Sequence, residues 1–101
     1  PYVLQYNKPA IEGKLIHIAR VLALEEVSFE GFLRWILQLR ETLHVPGDLH
    51  AIGISTEQSK LVGEMAADDP SAAGNPVQLS ATQYSSLFEA AVQGNLPGVS
   101  M

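Results

Sequence analysis

The sequence predicts an all-α protein, a helical bundle of about four main helices joined by short connecting turns. Three observations carry that prediction. Apolar residues recur at helical spacing in four segments. Those segments open on residues that cap helix N-termini. No segment sustains two-residue alternation, so no sheet is expected, and only Tyr2 to Gln5 is left open to extended structure.

The first helix is expected to start at Asn7 as N-cap, with Pro9 in its first turn and Tyr6 stapled onto Ile11. Ile11, Leu15, Ile18 and Leu22 form its apolar stripe. Ser28 caps the second helix, and Glu30 stands near the positive end of its dipole. Phe32, Ile36, Leu39 and Leu43 line that helix, with Phe29, Leu33, Trp35 and Leu37 widening the stripe. Val45-Pro46-Gly47 stops it, and Asp48 to Ile52 reads as one short turn closed by Gly53. Ser55 and Gln58 have capping-box spacing for a third helix carrying Leu61, Val62, Met65 and Ala66. Ser80 and Gln83 repeat the box for a fourth helix, which buries Tyr84, Leu87, Phe88 and Ala91 and ends near Gly94. Residues 95–101 read as a frayed tail.

Between the third and fourth helices lies Asp68-Asp69-Pro70-Ser71-Ala72-Ala73-Gly74-Asn75-Pro76. Two prolines, a glycine and capped helices on both sides predict a loop held in one shape, the kind of segment on which sites are built. Its two carboxylates alone are too few ligands for a hard metal ion. Asn75 precedes Pro76 and is therefore biased to extended backbone, where its amide can bond the main chain.

The chain has 101 residues and is 47% hydrophobic, enough for one domain with a core of its own. Its net charge of -5 and lack of a basic run argue against a nucleic-acid partner. With no cysteine there is neither a disulfide framework nor thiolate chemistry, which fits the cytoplasm. No apolar run reaches membrane-spanning length, so no membrane partner is expected. Pro1 opens the chain without an initiator Met, and the expectation is a fragment of a longer protein.

Few residues suggest chemistry. His17 belongs to the polar side of the first helix, His44 to the end of the second and His50 to the short turn. No two share a helix at i, i+4 spacing, so none is expected to bind metal. No nucleophile motif, dinucleotide fingerprint or P-loop is present, and Ser71 has no evident general base. Trp35 reads as core. Arg40 falls within the apolar arc of Phe29, Leu33, Ile36 and Leu43, where a guanidinium must snorkel or find acceptors. Asp69 or the carbonyls around Ser71 are its expected partners, which would make Arg40 the structural anchor of the loop.

Read in order, the landmarks resemble the end of the iron-containing (group III) alcohol dehydrogenases, whose fold is dehydroquinate synthase-like. Pro1-Tyr2-Val3-Leu4-Gln5-Tyr6-Asn7 is similar to that family's Leu-Pro-containing run ending in Phe/Tyr-Asn. Phe32 to Leu43 resembles the helix before its Ile-Pro-x-x-Leu turn, here Val45-Pro46-Gly47-Asp48-Leu49, and Gly53-Ile54 fits the Gly-Val/Ile that follows. Met65-Ala66, the Asp69 to Pro76 segment and Leu79 to Ala91 are similar to its late loop and last helix.

The resemblance implies residues 1–101 as a single helical domain, a piece of a larger two-domain enzyme. That enzyme would transfer hydride between an alcohol or aldehyde and NAD(P), with a divalent metal, iron or zinc. The family's Asp and three His metal ligands and its glycine-rich segments lie upstream, so this chain alone is expected to bind neither group and to be inactive. Its catalytic, cofactor-binding and metal residues are accordingly none. Ser71, Ala72, Ala73, Gly74 and Asn75 are the implied cleft-lining loop. Partners would be the N-terminal nucleotide-binding domain and the metal-bearing helices, with homodimerisation through exposed apolar helix faces also expected. A competing expectation, from a different class, is a free-standing acidic helical module that binds a protein partner or self-associates.

Overall fold

The computed structural model describes residues 1–96. Four α-helices follow one another: α1 (Tyr2–Val21), α2 (Phe29–Thr42), α3 (Ser59–Asp68) and α4 (Ala81–Gln93). Short 3₁₀ segments at His50–Ile52 and Pro70–Gly74 interrupt the connections, and no strand occurs among the described residues. The fold is all-α, as the apolar periodicity predicts.

The helices pair as two hairpins. α1 packs on α2 and α3 on α4, while the hairpins meet through α1 and α4. Leu15 and Ala19 of α1 pack with Phe29, Phe32 and Leu33 of α2 to form the buried core, with Leu4, Ile11, Leu24, Trp35, Ile36 and Leu96 around it. Trp35 lies tilted beside Phe32, their ring centroids 5.8 Å apart. Phe29 and Leu33 are almost wholly buried, each contributing about 1.5–3 kcal/mol by removing its side chain from water. Leu96, inside the expected tail, packs on this core; residues 97–101 lie outside the described residues.

α1 starts earlier than its sequence signals suggest. Pro1 accepts the Gln5 N–H at 3.0 Å, the helix runs from Tyr2, and Pro9 lies inside it rather than in its first turn. Tyr2 to Gln5 is therefore helical. An interior proline removes a ladder hydrogen bond and costs roughly 3 kcal/mol in an isolated helix. Here tertiary contacts hold the first two turns. The Tyr2 hydroxyl donates to the Gly47 carbonyl at 3.2 Å, Leu4 packs on the core, and Asn7 is buried at 4% exposure.

The second hairpin depends on a close helix crossing at Gly63. A Cβ at this position would collide with Ser85 Oγ, the Ala81 carbonyl and the Ser85 amide. Beside it the Ser85 hydroxyl donates to the Ser59 carbonyl at 2.8 Å. α3 begins at Ser59, and Ser55 does not cap it. Ser55 Oγ instead accepts from the Glu57 amide, and a turn ties the Ser59 amide and hydroxyl to the Thr56 carbonyl. The caps of α2 and α4 form as expected: Ser28 accepts from the Gly31 amide, and Ser80 and Gln83 cap each other reciprocally in a capping box.

Candidate functional site

The loop between α3 and α4 is more regular than its composition suggests. Asp69 ends α3 and caps the 3₁₀ segment Pro70–Gly74, its Oδ1 accepting the Ser71 amide at 2.7 Å. The Ala72 amide donates to the Asp69 carbonyl at 2.9 Å and the Asn75 amide to the Ala72 carbonyl at 3.1 Å. Pro70 occupies a first-turn position, where its missing N–H leaves nothing unsatisfied. The Asp69 carboxylate is thus a cap, which is the chemistry an acidic residue before Pro serves best.

The far end of the loop is pinned by Asn75. Its Nδ2 donates to Asn7 Oδ1 at 2.9 Å and to the Val77 carbonyl at 2.6 Å, using both amide hydrogens. Asn7 Nδ2 returns a bond to Asn75 Oδ1 at 2.7 Å. The reciprocal pair joins positions 68 residues apart and makes α1 the support of the loop.

Arg40 is not that support. It lies at the end of α2 beside Gly47, Asp48, Gln93 and Gly94, lining a hollow of about 350 Å³ with Tyr2, Leu37 and Leu96. Among the described residues it makes no hydrogen bond or ion pair with Asp69 or the Ser71 region. Its charge in the last turn suits the negative end of the α2 dipole, and Asp69 is already committed to Ser71.

Of the expected loop residues, Ser71, Ala72 and Asn75 line one open groove of about 340 Å³ with Val3, Ala66, Asp69, Leu79 and Tyr84. Ala73 and Gly74 are exposed and do not line it. The lining is mixed, apolar at Val3, Ala66, Ala72 and Leu79 and polar at Asp69, Ser71, Asn75 and the Tyr84 hydroxyl. Asn7, expected as a helix cap because it stands before Lys8-Pro9, instead pairs with the loop. The signal that could have found it is that Tyr6-Asn7 and Asn75-Pro76 both stand among the family-like motifs.

His17, His44 and His50 are exposed on three separate segments. Among the described residues no three His, Asp or Glu groups converge as a metal site would require. The described residues also contain no strand, so the strand–loop–helix unit that cradles a dinucleotide pyrophosphate has no counterpart in them. The residues present fit neither group.

Comparison with protein families gives a match, whereas comparisons with curated proteins and with solved structures gave none. The family is described as Fe-containing alcohol dehydrogenase family, C-terminal, and residues 1–92 match it. That span includes all four helices except the last residue of α4, both ends of the Asn7–Asn75 pair and the whole 3₁₀ loop. The chain belongs to the Fe-containing alcohol dehydrogenase family, as its C-terminal helical part.

Proposed function

We propose that this chain is the helical part of a metal-dependent, NAD(P)-linked alcohol dehydrogenase and forms one wall of its active-site cleft. The reaction is hydride transfer between an alcohol or aldehyde and a nicotinamide cofactor, and it takes place in the cytoplasm. Among the described residues no helix is long and apolar enough to cross a membrane. The chain's part is structural: it presents a rigid loop to the substrate, and the hydride chemistry belongs to the rest of the parent.

The observation that carries this reading is the loop itself. Pro70–Gly74 is capped at one end by Asp69 and clasped at the other by Asn7, yet Ser71 stays exposed on the groove. A segment so fixed and so open is suited to meeting a ligand. The apolar surface supports the partners. Leu39, Leu43 and Val45 leave the core at the end of α2, with Leu43 63% exposed, and Leu61 and Met65 stand one turn apart on α3. These faces meet the metal-bearing helices and the N-terminal nucleotide-binding domain, and a second copy of the chain is the other occupant to test.

The test uses a full-length dehydrogenase that carries this chain as its C-terminal part. Ser71→Phe places a large side chain on the groove wall. It is expected to raise KM for bulky alcohols more than for small ones, leaving KM for the nicotinamide unchanged. Equal KM values for all alcohols in variant and parent would refute the cleft-wall role.

A further inference from the structure

We propose that Asn7 is a positioning residue for the substrate loop, acting through Asn75 and never touching substrate; this rests on the cleft-wall reading above. Asn7 is 4% exposed, and its amide faces one other side-chain amide in a reciprocal pair at 2.7 and 2.9 Å. Such a pair fixes both distance and orientation, since each side chain must present its carbonyl to the other's N–H. Asn75 is the residue directly after the 3₁₀ turn, and its second N–H is held by Val77. Holding its amide from two sides sets where Ser71 and Ala72 stand on the groove.

No other residue type of this size reproduces the pair. Asp would set a carboxylate oxygen against Asn75 Oδ1. Leu or Ala would leave an Asn75 donor and acceptor without their partner in a part-buried place, a costly arrangement. Because Asn7 sits in the second turn of α1 rather than in the loop, it ties the loop to the helix that carries Leu15 and Ala19 into the core. The loop therefore moves with the core of the first hairpin, not only with its own helices α3 and α4.

Asn7→Ala, Asn75→Ala and the double variant test this in two ways. In the isolated chain, NMR order parameters of residues 72–74 are expected to fall from about 0.85 to below about 0.6 in each variant, with those of α2 unchanged. In the dehydrogenase, each single variant is expected to raise the alcohol KM by about tenfold to a hundredfold with kcat retained. The double variant should add nothing to the larger single effect, because one pair has been broken once. A merely structural role would lower the active fraction, and so the apparent kcat, with KM unmoved. Should Asn7→Ala fail to fold, Asn75→Ala breaks the same pair from the loop side with α1 intact. Unchanged order parameters overturn the proposal. So does an unchanged alcohol KM in Asn7→Ala where Ser71→Phe raises it, and that pattern leaves the cleft reading standing. An unchanged KM in Ser71→Phe overturns the cleft reading and this inference with it, whatever Asn7→Ala does.

Discussion

Replacing Gly63 by Ala sets two known effects against each other. In an exposed helix, Gly to Ala stabilises by about 1 kcal/mol, since glycine loses more backbone freedom on folding. At Gly63 the added Cβ meets Ser85 Oγ, which can rotate away, but also the Ala81 carbonyl and the Ser85 amide, which cannot. Relief requires α3 and α4 to separate, and overpacking of this kind costs about 1–3 kcal/mol, more when backbone must move. The Ser85–Ser59 hydrogen bond would lengthen with it, at up to about 1 kcal/mol. The net expectation is a loss of about 1–2 kcal/mol, or a Tm lower by roughly 5–15 °C for a domain of this size. Gly13 supplies the control: it is exposed on α1 with nothing within 4 Å of its added Cβ. Gly13→Ala should therefore raise Tm by about 4–8 °C. Urea and thermal unfolding of both variants, followed by far-ultraviolet circular dichroism, compare the two directly. Stabilisation by Gly63→Ala equal to that of Gly13→Ala would refute the close crossing of α3 and α4.

Three further outcomes follow from local geometry. α1 and α2 end in left-handed residues that are not glycine, Ala23 at φ 54° and His44 at φ 58°; Ala23→Gly and His44→Gly should each stabilise by about 0.5–1 kcal/mol in urea unfolding, the strain relieved exceeding the added chain entropy. Ser80→Ala should destabilise by about 1 kcal/mol by removing the box at α4, while Ser55→Ala should change little, since Ser55 caps no helix. The Lys8 ammonium donates to Glu30 at 2.7 Å, and this bond holds the Glu30 carboxyl below its ordinary 4.5 and raises the Lys8 ammonium above its ordinary 10.5; the ammonium also lies over the Phe29 ring. Because the Glu30 value is depressed in the folded chain, this clamp between α1 and α2 is fully present above pH 4.5 and is lost as pH falls through the folded value. On the alkaline side it is fully present below pH 10.5 and lost as pH rises through the raised Lys8 value. Glu30→Gln should flatten the acid limb of the stability–pH profile, and an unchanged limb would show that the pair carries none of it.

The elements of this fold were legible where one local signal had no competitor. Ser28, the Ser80–Gln83 box and Gly94 fix helix ends through the backbone groups beside them, so their residue types suffice. Gly53, at φ 87°, closes the short turn for the same reason. Where a residue type has two uses, the sequence misleads. Asn7 and Pro9 look like a helix start, but Asn7 serves a partner 68 residues away and packing carries α1 across the proline. The end of α1 is hidden because Ala23 fills a position that glycine usually marks, whereas α2, with His44 in the same position, was still legible from Val45-Pro46-Gly47 just beyond it. Both endings are nevertheless complete: the Leu24 amide reaches the Ala19 carbonyl, and Val45 reaches Arg40. Of the loop from Asp68 to Pro76, the turn at Pro70 and the cap of the helix that follows it could be read from Pro70 and the Ser80–Gln83 box. Its anchor could not, because an apolar arc that contains Arg40 does not say which end of the bundle the guanidinium meets. In the fold it meets Gly47 and Asp48, and the loop is held by an amide pair with no charge to draw attention to it.

The most direct measurement compares this chain with a full-length dehydrogenase carrying it as the C-terminal part, as the proposed function requires, for alcohol-dependent reduction of NAD or NADP in the presence of ferrous iron or zinc. Turnover is expected from the full-length protein, and neither turnover nor calorimetric nicotinamide binding from the isolated chain. Nicotinamide binding or alcohol oxidation by the isolated chain would contradict it, as would a longer protein that folds, binds both groups and leaves every alcohol untouched.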